Sequence, residues 1–176
     1  MAVRELFHGT RQRFAKFDTS FKGTGEAGKI DACWFTDNFE GAKNHAILKN
    51  RHVTPPLVYR CELSSEVLLA DYSIPLSEQP HILKLLNQHL PVSISTSLGR
   101  GKDWDLNHPC YQSHRGRTIL TGTRGLDSDE IIKLFKTCGV HGVHDWEGIF
   151  TDAYLKGTTT VIFDVPVLII KEIIEV

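Results

Sequence analysis

Two stretches near the start of the chain hold residue types that could grip a flat polar ligand. In Leu6-Phe7-His8-Gly9-Thr10 an apolar run delivers a histidine beside a glycine. Glycine lets a backbone N–H and C=O come close to a planar group, and an imidazole can hydrogen-bond a hydroxyl. Taken alone, the tripeptide suits a core histidine ahead of a turn better. In Cys33-Trp34-Phe35-Thr36-Asp37 two aromatics follow one another. On a strand they face opposite ways, so one can pack inward while the other forms a stacking wall. His45, one short helix later, is placed to close the other side. Such a sandwich suits an electron-poor ring, although a core position is the more usual fate of such aromatics.

These residues need strands and a helix to hold them. Residues 3–8 read as a first strand ending on Gly9-Thr10. Residues 11–31 are rich in glycine and short polar residues, the composition of a mobile loop. Residues 32–36 form a second strand. Asp37 or Asn38 then offers an N-cap to a helix over 39–49, and Pro55-Pro56 ends that region. Residues 57–63 alternate as a strand does, with a short β segment at 67–71. Apolar residues at helical spacing predict helices over 79–89, opened by Pro80, and 127–137, capped by Asp127-Ser128-Asp129. Strands are expected at 140–150, 158–164 and 167–175. Helices scattered among many short strands argue an α+β fold, not regular βαβ alternation. No repeat or low-complexity segment divides the chain, so residues 1–176 read as a single domain.

In order and spacing, the segments His8-Gly9-Thr10, Trp34-Phe35-Thr36-Asp37, His45-Ala46, 58–63, 67–71 and 159–171 resemble the ADP-ribosyltransferases. The likeness is to their diphtheria-toxin-like and poly-ADP-ribose-polymerase-like branch, and within it to the small transferase domains of phage-type polyvalent proteins. That family shows a His-Gly-Thr strand, a Gly-rich loop, an aromatic strand, a helix ending in Tyr-Ala, and a closing strand that begins with glutamate. The resemblance touches both ends of the chain and says little about residues 75–125.

The resemblance implies the ADP-ribosyltransferase fold, a split, strongly bent antiparallel sheet with peripheral helices, cradling NAD as substrate. It implies that His8 binds the 2′-hydroxyl of the nicotinamide ribose and that the Gly9 backbone clamps the carboxamide. Thr10 follows them. Trp34, with Phe35 beside it, packs against the ring or ribose, and His45 takes the place of the stacking tyrosine. The loop around residues 23–28 would lie over the dinucleotide, with Lys22 and Lys29 toward its pyrophosphate. The family glutamate falls at Thr159. A threonine can orient a hydroxyl but brings no charge, and losing one preorganised group of this kind costs ~10²–10³ in rate. Three outcomes are open: a slower mono-ADP-ribosyltransferase, replacement of the acid by Glu147 or Asp145, or an inactive module that binds NAD, a nucleotide or a partner without turnover. The catalytic candidates are therefore His8, Trp34, Thr159 and Glu147.

Composition narrows the partners. With 41% hydrophobic and 23% charged residues the chain is of ordinary globular type, and a formal net charge of −1 gives no global pull toward nucleic acid or membrane. No run approaches the length of a membrane span, and no signal-peptide pattern opens the sequence. Cys33, Cys61, Cys110 and Cys138 lie far apart, which suits a reducing cytoplasm. The nine histidines fall in no metal-ligand frame, so no metal is expected. Arg100, Lys102, Arg115, Arg117 and Arg124, interleaved with Trp104 and Tyr111, read as a solvated loop or as a surface for a protein or nucleic-acid acceptor. The resulting expectation is a cytoplasmic transferase in a toxin, effector or phage-defence setting, delivered into another cell if it acts there.

Overall fold

The computed structural model describes residues 5–19, 32–48, 54–74, 78–89, 128–146 and 156–176. Seven strands form one sheet: β1 (Glu5–Thr10), β2 (Cys33–Thr36), β3 (Leu57–Leu63), β4 (Leu69–Asp71), β5 (Gly142–His144), β6 (Thr159–Ile162) and β7 (Leu168–Glu175). The helices among the described residues are α1 (Phe39–Leu48), α2 (Pro80–His89) and α3 (Ser128–Thr137). The fold is mixed α+β, as the sequence predicts.

The sheet order is β4-β5-β6-β2-β1-β3-β7. Its two halves meet at a narrow seam. β1 runs beside β3 over its whole length, from Glu5 opposite Glu62 to Thr10 opposite Leu57, and β2 pairs with β6 from Cys33 to Thr36. Between β1 and β2 the register holds only Phe7 opposite Thr36. One expectation is corrected: β4 and β5 run parallel, not antiparallel. A parallel pair needs a crossover, and α2 and α3 lie in the chain between these two strands.

Strand alternation divides the core. Trp34 joins the cluster in which Ile82 and Leu86 of α2, and Ile132 and Phe135 of α3, pack on Val143 and Val161. Phe7 and Val58, on the same face, pack under α1 against Ala42 and Phe39. Phe35 points the other way, with Leu6, Tyr59, Cys61 and Ile162. All three helices thus cover one face of the sheet, α1 over one half and α2 with α3 over the other.

β7 is an edge strand of eight residues, LIIKEIIE. Cys61 stands opposite Ile170 and Arg60 opposite Glu172, so Lys171 is an extra residue and the ladder bulges there. The bulge resets the alternation and keeps Leu168, Ile170 and Ile173 all on the core side. A bulge with a central lysine is also how natural sheets guard an edge against pairing with another chain.

α1 begins where the sequence predicts it. Asn38, not Asp37, is the cap, its Oδ1 accepting the Gly41 N–H at 2.9 Å. Asp37 instead ties two strand ends together, its Oδ1 accepting the Thr158 N–H at 2.8 Å. The strand expected over 140–150 is shorter. It stops at His144, because Asp145 takes a left-handed backbone, φ 56°, that no strand can continue.

Candidate functional site

The site forms where β1 and β2 part. Beyond Phe7 the strands separate, and the His8 side chain bridges the gap: its Nδ1 lies 2.6 Å from the Trp34 carbonyl oxygen. A carbonyl can only accept, so Nδ1 carries the proton. In a neutral ring that leaves Nε2 as a lone-pair acceptor. The ring is neutral: burial pushes its pKa from 6.5 down to about 4, against the raising effect of the Trp34 carbonyl, while the His45 charge lowers it further. That influence also sets His45, in the last turn of α1, close to His8.

Aromatic rings enclose the imidazole. Phe17 stands edge-on at 5.3 Å, Phe35 at 5.6 Å and Phe14 at 6.3 Å. Phe14 stacks on Tyr59 at 4.3 Å with the rings 10° from parallel. The Tyr59 hydroxyl accepts the Phe14 N–H at 2.7 Å and donates to the Phe14 carbonyl at 2.9 Å. Residues 11–19 therefore differ from the mobile loop expected of them. They lack regular structure but are pinned, at Arg11 by its own guanidinium and at Phe14 by the Tyr59 hydroxyl. The Arg11 guanidinium donates to the carbonyls of Ala46 (3.0 Å) and Ile47 (2.9 Å), which the end of α1 leaves open.

Gly9 has a reason of its own. A Cβ there would stand 2.0 Å from the Ala42 carbonyl oxygen and 3.0 Å from the Ala46 nitrogen. Only a bare Cα lets α1 lie this close to β1, and that closeness holds His45 beside the gap. Thr10 Oγ1 accepts the Gln12 N–H at 3.1 Å.

Trp34 and Phe35 do face opposite sides. Phe35 packs with His8, while Trp34 meets Trp146 edge-on at 6.3 Å. The Trp34 Nε1–H is buried and finds no hydrogen-bond partner among the described residues. Thr159 opens β6 opposite Thr36 and is 3% exposed. It lies two strands from β1 in the sheet order, about 10 Å away at the usual strand spacing.

The structure thus gathers His8, Gly9, Trp34, Phe35 and His45 around one seam, with Thr159 across β2. Glu147, Lys22, Lys29, the 23–28 loop and the basic residues between 97 and 125 lie outside the described residues. Three contributors were not singled out in the sequence: Phe14, Phe17 and Tyr59. For Phe14 and Phe17 the signal was the repeated phenylalanine in an otherwise polar loop. Among the described residues no group of His, Cys, Asp and Glu is set to hold a metal ion, and no helix is long and apolar enough to cross a membrane.

The chain matches no family model, no curated protein and no solved structure. The functional reading therefore rests on the residues and their arrangement.

Proposed function

We propose that the chain is an NAD-dependent mono-ADP-ribosyltransferase of the ADP-ribosyltransferase fold, acting on a protein or nucleic-acid target. The observation that carries the reading is the parting of β1 and β2 after a single pair, with neutral His8 spanning the gap. The residues fit NAD in three respects. His8 Nε2 is a ready acceptor for a ribose hydroxyl. The Trp34 Nε1–H is a buried donor without an acceptor among the described residues. His45 and the indole of Trp34 offer walls for a flat ring. In one respect the fit is poorer, since the space beside the Gly9 Cα is filled by α1 and not left for a ligand.

In the reaction, the bond between the nicotinamide nitrogen and ribose C1′ breaks, and its electron pair leaves with neutral nicotinamide. C1′ then bonds to a nucleophilic atom of the acceptor, whose proton passes to solvent. Positive charge builds on the ribose, so catalysis depends on holding that ring and stabilising its charge. A neutral His8 adds no opposing charge there.

The second reading is a module of the same fold that binds NAD, a nucleotide or a partner without turning NAD over. Thr159 favours it, being uncharged and nearly fully buried. One experiment separates the two. The purified chain is incubated with labelled NAD and cell extract, beside His8→Ala and Glu147→Ala. Label transferred to a macromolecule and lost in His8→Ala supports the transferase. Neither label nor free nicotinamide, with NAD still bound, supports the module.

A further inference from the structure

We infer that Tyr59 is a positioning residue for His8, an inference that rests on the transferase reading. Through the Phe14 backbone its hydroxyl holds an aromatic cap over the imidazole, and the cap keeps Nε2 an acceptor for the ribose hydroxyl. Tyr59 stands opposite His8 in the β1–β3 register and is fully buried. A hydroxyl there must find its partners inside the protein. It takes both from one residue, accepting the Phe14 N–H at 2.7 Å and donating to the Phe14 carbonyl at 2.9 Å. Residues 11–19 form no strand or helix, so no ladder pairs these two backbone groups. The Tyr59 hydroxyl stands in for the ladder and lets the segment lie against the sheet. A phenylalanine would fill the same space in the core; the hydroxyl serves only to hold this segment.

The clamp delivers a set of rings. Phe14 stacks on Tyr59, and Phe17 packs 4.9 Å from Phe14, 5.0 Å from Phe35 and 5.6 Å from Tyr59. The same Phe17 ring, itself buried, meets His8 edge-on. The proposed chemistry gives this cap a purpose. An imidazolium has no lone pair on Nε2, and it would set a positive charge beside a ribose that is becoming positive. Water or an opposite charge would stabilise the imidazolium, and a cap of phenylalanines offers neither. The titratable groups that face His8 are Tyr59 from β3 and His45 from α1, whose charge opposes protonation. From β2 come the Trp34 carbonyl and Phe35, and Arg13, Lys16 and Asp18 lie on the exposed side of the segment.

The test is nicotinamide release by the full chain at about pH 8 and about pH 5, comparing wild type with Tyr59→Phe, with thermal midpoints at both. Wild type should hold its KM for NAD across this range, because His8 gains a proton only near pH 4. In Tyr59→Phe the cap loosens, and KM relative to wild type should rise by about 3–10-fold on going to the lower pH. A tyrosine with a merely structural role would lower the midpoint and leave the pH dependence of KM unmoved. A folded Tyr59→Phe whose KM follows wild type at both pH values therefore overturns the inference and leaves the transferase reading standing. A wild-type chain that releases no nicotinamide overturns both. Should Tyr59→Phe fail to fold in acid, Phe14→Leu decides, since it keeps the backbone clamp and removes one ring of the cap. A folded Phe14→Leu without the acid rise in KM overturns the inference.

Discussion

Acid should weaken this protein through His8 in a defined interval. The imidazole is enclosed by Phe14, Phe17 and Phe35 and donates from Nδ1 to the Trp34 carbonyl, and its pKa falls from 6.5 to about 4. Between those values the unfolded chain binds a proton that the native chain does not. Stability is therefore full above pH 6.5 and is lost as pH drops toward about 4. At roughly 1.4 kcal/mol per pH unit the loss reaches about 3 kcal/mol, and the part of the ring that meets solvent trims it to about 2 kcal/mol. Urea unfolding of wild type and His8→Gln across this range isolates the effect, because glutamine can keep a bond to the Trp34 carbonyl but cannot titrate. The two stability curves should converge in acid by that amount. Parallel curves, or an NMR titration placing the His8 pKa at or above 6.5, would refute the argument.

Other outcomes follow from the same geometry. Gly9→Ala drives a methyl into the Ala42 carbonyl, so α1 must shift. We expect a loss of about 1–3 kcal/mol, read by denaturant unfolding, together with weaker NAD binding through displaced His45. Tyr59→Phe removes the hydroxyl that holds the Phe14 backbone at both N–H and C=O. The cost should be about 1–3 kcal/mol, and with the cage loosened the His8 pKa should move back toward 6.5, visible by NMR.

How far the sequence carries can be judged element by element. Strands β1, β3, β6 and β7 and all three helices stand where periodicity and caps put them, within a residue or two. Short-range signals are the ones a sequence states openly. The end of β5 was less legible, because a left-handed aspartate looks like any aspartate until its backbone is seen. The parallel pairing of β4 with β5 was also hidden, since it depends on a crossover and not on local pattern. At the site, the opposite facing of Trp34 and Phe35 follows from strand geometry alone. The reason for Gly9 does not: it answers to the α1 backbone, a tertiary contact. The phenylalanines of residues 11–19 were masked by polar neighbours, and only Tyr59, far along the chain, reveals what they pack on.

On the transferase reading, His8 bears on binding more than on turnover. His8 is neutral, with one nitrogen committed to Trp34 and the other a lone-pair acceptor, so it can orient a hydroxyl but cannot oppose a cation strongly. Thr159 has the same limitation. If the cleft held only these two, it would grip NAD equally well before and during bond cleavage, and uniform binding does not raise kcat. Discrimination between the two states requires a group that opposes the ribosyl charge more strongly than a neutral imidazole or a hydroxyl does. On the transferase reading, His8→Gln should therefore raise KM for NAD more than it lowers kcat for nicotinamide release. A kcat that falls further than KM rises would mean that His8 acts in the transition state, and the argument would fail.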